Sequence, residues 1–202
     1  MRFEEFLEEV AAKGEVVNLA FEERLFKLVG VLQRIAQPLA AASVPYEVVG
    51  GLAVLIHVEE ADPTLSVLTR DVDIMIRRAD LGRVIAVGES QGFKFRHAAG
   101  VDMLLYGEKA INAVHLVFAE EKVKAGEAAP NPALSPIPKT IKGVEVSVVS
   151  VADLVRMKLS ANRLKDQVHI QSLDAAGLIT PEIERGLQPA LNERLQQIRQ
   201  TE

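Results

Sequence analysis

The spacing of apolar residues along this chain changes twice. Phe3, Phe6, Leu7 and Val10 recur every three or four residues among glutamates, which predicts a helix over residues 2 to 12. Phe21, Leu25, Leu28, Leu32, Ile35 and Leu39 repeat that spacing after Asn18, a residue suited to cap a second helix. Gly30 weakens this second stripe, and Pro38 is expected to kink or end it. The period then shortens. Tyr46-Glu47-Val48-Val49 reads as a strand, Gly50-Gly51 breaks it, and Leu52 to Val58 reads as a short apolar helix. After a loop, Leu68-Thr69-Arg70-Asp71-Val72-Asp73-Ile74-Met75-Ile76 has the β-branched content of another strand.

Beyond it, Ala79-Asp80 opens a helix that runs to about Ser90 and closes at Gly92. Phe93 to His97, Val101 to Tyr106 and Ile111 to Ala119 read as strands, the last two joined by a turn at Gly107-Glu108. Pro130, Pro132, Pro136 and Pro138 predict an extended surface loop, and Val144 to Val149 one more strand. The helical period returns at Ser150, with Asp153 three residues on as a helix-start signal and Val151, Leu154, Val155 and Leu159 facing inward. Gly177 suggests a helix end and Thr180-Pro181 a new start, with Leu187, Leu191, Leu195 and Ile198 as the apolar stripe of a helical tail. Helices, a mixed centre and helices again make the fold class α+β. The division expected is a core with N-terminal helices over residues 1–150 and a C-terminal helical part over 151–202.

Composition narrows the classes. The 202 residues are 49% hydrophobic and 25% charged, enough for a real core. There is no cysteine, so thiolate chemistry, zinc–thiolate sites and disulfides are excluded, which fits a cytoplasmic protein. The acidic start, Met1 to Glu9, does not read as a signal peptide, and no run is long enough for a membrane span. A net charge of −5 argues against a broad nucleic-acid surface.

The candidate chemistry lies between Tyr46 and Arg77. Glycines without a Cβ let the backbone turn sharply and bring its N–H groups close to a phosphate at a helix start. Asp71 and Asp73 are two apart, so on a strand both carboxylates leave one face. Hard oxygens beside such a turn suit Mg²⁺, or Mn²⁺, and a nucleoside triphosphate.

Gly50-Gly51, His57 and Leu68-Thr69-Arg70-Asp71-Val72-Asp73-Ile74 resemble the signature of the nucleotidyltransferase superfamily, in particular its abortive-infection (AbiEii-like) branch. Ser150 to Leu159, with Arg163-Leu164-Lys165-Asp166, resembles the helical segment that follows in that branch. Phosphatases of the haloacid dehalogenase type and many glycosyltransferases place paired acids after an apolar strand. Here the apolar residues follow the acids, and Gly-Gly precedes them. The resemblance implies a nucleotidyltransferase-like fold and transfer of a nucleoside monophosphate to a hydroxyl on a protein, RNA or small molecule. It also implies a bacterial toxin–antitoxin or phage-defence setting. By the same resemblance Asp71 and Asp73 hold the metal, while Gly50, Gly51, Thr69, Arg70 and Lys158 serve the nucleotide. Active members usually supply a third carboxylate from a neighbouring strand. The corresponding stretch here, Asn112 to Phe118, offers His115, as a softer ligand, as a general base, or as a histidine simply hydrogen-bonded near the sheet end. Asp102 is a second candidate for that place. The family often has an acid where His169 stands. On the residues alone, Lys158 points either to phosphates or along the edge of a core, Arg163 and Lys165 serve phosphates or sit in water, and His57 is a ligand or a helix-end histidine. The rival class is a degenerate member acting as a binding or interaction module.

Overall fold

The structure is a computed structural model that describes residues 23–67, 69–107 and 113–201. The helix expected over 2–12, the Asn18 cap, Phe21, Leu68, Glu108 and the start of the Ile111 strand lie outside the described residues. The described chain folds as α1 (23–41), β1 (Glu47–Val49), α2 (Gly50–Ala61), β2 (Val72–Ile76), α3 (Leu81–Ser90), β3 (Phe93–Ala98), β4 (Val101–Tyr106) and β5 (Ala113–Phe118). There follow β6 (Ile137–Ile141), β7 (Val144–Val148), α4 (Val151–Ala161), α5 (Leu164–Ala175), α6 (Pro181–Arg185) and α7 (Pro189–Arg199). Among the described residues no helix is long and apolar enough to cross a membrane.

The strands form one mixed sheet in the order β3-β4-β5-β2-β1-β7-β6. β1 lies between β2, antiparallel to it, and β7, parallel to it, with Val48 level with Val148. β5 runs parallel to β2, and β3, β4 and β5 form an antiparallel meander. Val48, Ile74, Leu116 and Leu104 share one sheet face, and all are buried. Gly88 of α3 lies against Leu104, where a Cβ would come within 2.9 Å of a Leu104 methyl, so this helix sits close to the sheet. Helices α4, α5 and α7 pack on one another, and α4 and α5 pack on α2. Arg194 of α7 donates to the Leu159 and Ser160 carbonyls at 2.7 and 2.8 Å, supplying partners for the last carbonyls of α4.

Two elements depart from the sequence pattern, and in a third one of two expected effects does not occur. Helix α1 continues through Pro38 to residue 41. Leu32, Ile35, Ala36 and Leu39 are all fully buried there, and at about 1.5–3 kcal/mol for each large side chain their burial outweighs the roughly 3 kcal/mol cost of an internal proline. The proline-rich stretch is not loop to its end, because Ile137–Ile141 pairs with β7 as an outer strand. Pro138 is tolerated because an edge strand has one side with no ladder to serve. The tail is two helices rather than one stripe: α6 ends at Gly186, and Pro189 opens α7. The starts at Ser150 and Thr180 are as expected, each side-chain oxygen accepting the amide three residues on.

Glu47, in the interior strand β1, is 1% exposed, and its carboxylate accepts the Ser135 amide. Burial raises its pKa to about 7 against that one hydrogen bond. The unfolded chain releases this proton near pH 4.5 while the folded chain keeps it. The stabilisation is therefore complete below pH 4.5 and is lost as pH rises to about 7. Glu47→Gln should flatten the fall in Tm between pH 5 and 8 and raise stability above pH 7 by up to about 3 kcal/mol. Thermal melts of both proteins across that range check it.

Candidate functional site

The site begins where β1 stops. Val49 is extended, and Gly50 turns with φ +70° straight into α2, whose first amides have no side-chain cap. Val49 pairs with Asp73, so the turn lies directly against the β2 carboxylate. A Cβ on Gly50 would overlap Asp73 Oδ2 and stand 2.8 Å from its Cγ. A Cβ on Gly51 would come within 2.5 Å of Thr69 Oγ1 and 3.4 Å of His169 Cε1. Both glycines are thus required by close approach, and Gly50 by its left-handed backbone as well.

Asp73 is level with His115 on β5, and His115 with Met103 on β4. Side chains of directly paired residues leave the same face, so these three form one row. His115 Nδ1 donates to Asp73 Oδ1 at 3.1 Å. That hydrogen bond raises the His115 pKa against the opposing effect of burial, with the charges of Asp73 and Asp71 adding to it. Asp71 lies just before β2 and lines the same cleft. Asp102 does not join them. It pairs with Leu116, on the opposite face from His115, and binds His97 Nδ1 at 2.6 Å.

The basic side chains come from α4 and α5. Lys158 is 5% exposed, and its ammonium donates to Asp166 Oδ1 at 3.0 Å. Arg163 Nε donates to Asp166 Oδ2 at 2.6 Å. Burial pushes the Asp166 carboxyl up, yet Arg163 and Lys158 together hold it below its ordinary value. Burial lowers Lys158, and Asp166 offsets part of that. The lysine is therefore neither free at a phosphate nor stretched along a core edge, but fixed in a buried ion pair in the cleft wall. Arg70 and Lys165 line the same cleft. His169 is buried beside Gly51, with an Nδ1 that has no hydrogen-bond partner. Burial and then Lys158 lower its pKa to about 4, so the ring is neutral at ordinary pH. His57 is outside the cleft: its Nε2 donates to the Val149 carbonyl at 2.8 Å and ties α2 to the end of β7.

These groups line a cleft of about 820 Å³, between the sheet face that carries Asp73 and His115 and the helices α4 and α5. Its far wall is the segment after β5. Asn131 anchors that segment by donating to the Phe118 carbonyl, and Ser160 of α4 holds Ala129 through both its carbonyl and its amide. Nothing in a proline-rich run signals this wall in advance, apart from a lone Asn131 between two prolines. Among the described residues no group of three or more His, Asp or Glu side chains is gathered as a preformed ion cage. Two carboxylates on an open cleft still suit Mg²⁺, which keeps several waters and shares one or two protein carboxylates with substrate phosphates.

No protein-family model matches this chain, and no curated protein matches it in sequence. Solved structures do. The solution structure of the antibiotic-resistance factor ANT(2'')-Ia aligns with a TM-score of 0.55 and 13% identity over 88% of this chain and 97% of that one. Its crystal structure in complex with adenylyl-2''-tobramycin gives 0.53 and 15%, over 86% and 97%. An antigenic nucleotidyltransferase-like protein from Paracoccidioides brasiliensis gives 0.56 and 17%, over 87% and 88%. The Megavirus polyadenylate synthase gives 0.54 and 13% over 86% of this chain but 38% of the synthase. At such identities the likeness is one of fold. The seven-stranded mixed sheet with its flanking helices matches nucleotidyltransferase-like folds.

Proposed function

We propose that this protein binds a nucleoside triphosphate with Mg²⁺ or Mn²⁺ and transfers a nucleoside monophosphate to a hydroxyl group. The observation that carries this reading is the Gly50–Gly51 turn set against the paired Asp73 and His115: an uncapped helix start, a carboxylate and a hydrogen-bonded imidazole side by side in a nucleotidyltransferase-like fold. ANT(2'')-Ia, solved in complex with adenylyl-2''-tobramycin, and the polyadenylate synthase, both similar in fold, support this reaction class. Asp71 and Asp73 would hold the ion, which supplies charge neutralisation at the phosphates. Gly50, Gly51, Thr69 and Arg70 cradle the triphosphate, with Lys165 at the rim. Lys158 acts from its ion pair as a fixed positive charge rather than as a direct ligand. Asp73 accepts from His115 Nδ1–H, which leaves the lone pair of Nε2 free to take a proton from the attacking hydroxyl. The abortive-infection branch and its defence setting belong to this proposal on motif order alone.

A second reading has its own support. Asp73 is already bonded to His115, Lys158 is already paired with Asp166, and no third acid stands in the row. A chain that binds nucleotide without turnover, as an interaction module, would look the same.

Calorimetry separates metal-dependent binding from none. The wild type should bind a nucleoside triphosphate more tightly with Mg²⁺ or Mn²⁺ than without. Asp71→Asn with Asp73→Asn should remove the metal-dependent part at a stability cost of about 1 kcal/mol or less. Gly50→Ala, which drives a methyl into the Asp73 carboxylate, should lower transfer about a hundredfold. His115→Asp restores a third acid, so without metal its Tm should fall by like-charge repulsion, and Mg²⁺ should raise it by more than in the wild type. A Tm response to Mg²⁺ identical to wild type would remove His115 from the metal site.

A further inference from the structure

Of the four histidines in the chain, three have a ring nitrogen bonded to a protein oxygen: His57 to the Val149 carbonyl, His97 to Asp102 and His115 to Asp73. His169 is the exception among the described residues. It is 7% exposed, and its Nδ1 is buried with no hydrogen-bond partner. Its polar neighbours along α5 do not supply one. Asp166, one turn before, has its carboxylate oxygens engaged by Lys158 and Arg163. Ser172, one turn after, donates to the Leu65 carbonyl at 2.6 Å. A buried polar ring without a partner bears its full desolvation cost, so its presence points to a partner that the chain itself does not provide.

The ring lines the cleft. Its Cε1, the carbon bonded to both ring nitrogens, stands 3.4 Å from where a Gly51 Cβ would be, and Thr69 Oγ1 stands 2.5 Å from that same point. The polar edge of the ring therefore faces the start of α2, a 12-residue helix whose first amides have no side-chain cap. The surrounding charges decide the kind of partner. Burial keeps the ring neutral, Lys158, Lys165 and Arg163 oppose its protonation, and Asp166 alone favours it. The helix start adds partial positive charge of its own. A cation is repelled from this place, whereas an anionic oxygen suits it, and a neutral imidazole has one N–H to give.

We propose that His169 is a direct ligand of a phosphate group seated at the start of α2, donating a ring N–H to a phosphate oxygen beside Thr69 Oγ1 and the first amides of the helix. This deepens the triphosphate reading given above and rests on it for the source of the phosphate. A neutral donor holds the phosphate without placing another buried cation beside Lys158. It also ties α5 to α2 through the ligand, so that the phosphate bridges the glycine turn and the helical wall that faces it.

The test uses the full chain labelled with ¹⁵N-histidine and two probes, Mg²⁺–tripolyphosphate and Mg²⁺–ATP. The His169 ring signal is identified as the one missing from His169→Phe, and saturation of the wild type with either probe should shift it. His169→Phe keeps the shape and burial of the ring without its nitrogens. Its Tm should therefore hold or rise, while calorimetric affinity for both probes falls about tenfold or more. His169→Gln, which returns an amide donor, should recover part of that loss. A histidine satisfied by a buried water would leave the affinities and the ring signal unchanged. That result, with Mg²⁺–ATP still bound, overturns the proposal and leaves the transfer reading intact. If Mg²⁺–ATP binds no more tightly than Mg²⁺–tripolyphosphate, and His169→Phe weakens both, the phosphate ligand stands and the transfer reading falls. Binding of neither probe by the wild type overturns both. Should His169→Phe fail to fold, wild-type ring signals that all stay unchanged at saturation overturn the proposal by themselves.

Discussion

The contact on which this molecule depends is between a side chain and a missing one. Asp73 stands against Gly50 because β1 and β2 pair Val49 with Asp73, and the chain leaves β1 through a residue with no Cβ. Any other residue at Gly50 would meet both the left-handed backbone and the carboxylate. The same ladder fixes the rest of the row. With period two along each strand, a slip of one residue in β2 would turn Asp73 into the face now filled by Ile74 and expose Ile74 in its place. The burial of Val48, Ile74, Leu116 and Leu104 on the other face is what makes that slip expensive, so the core holds the site in register.

A second constraint is electrostatic. Lys158, Asp166 and Arg163 share one carboxylate between two cations, and Lys158 and Asp166 are both buried. Removing one partner of such a group costs roughly 3–5 kcal/mol, because the charge left behind keeps its burial and loses its counter-charge. The group therefore joins the start of α5 to α4 at a fixed geometry and leaves one net positive charge in the cleft wall. His169, one turn further along α5, is held neutral by burial and by Lys158 nearby. An acid at that position would have neutralised the wall, whereas an imidazole leaves its positive potential in place.

The parts of the fold legible in the sequence are those set by local pattern. The strand–glycine–helix run, the Asp-x-Asp strand beside it, helix α3 and the caps at Ser150 and Thr180 all follow from residues close in sequence. The pairing of Asp73 with His115 was suggested by the motif order alone, and its geometry comes from a parallel ladder between distant strands that periodicity cannot reveal. Of the two effects expected of Pro38, ending the helix does not occur, because the burial of Ile35 and Leu39 outweighs a local penalty. Pro138 was misread because an edge strand asks for fewer amide donors than a central one. The role of Lys158 was legible as a choice between phosphate and core edge, and the buried Asp166 gave a third answer.

The interior position of β1 has a consequence for how the chain is made. Val48 must wait for Val148 before its second edge is covered, since β7 is the strand that pairs there. At ordinary rates of synthesis the wait is on the order of ten seconds. During it the strand leading into the glycine turn has β2 on one side and an open row of amides and carbonyls on the other. The cleft wall from α4 and α5 follows β7 in the chain, so the turn exists in the nascent protein before the cations that face it. On the ribosome the glycine turn and its facing carboxylate form first, and the cleft closes only once α4 and α5 have emerged.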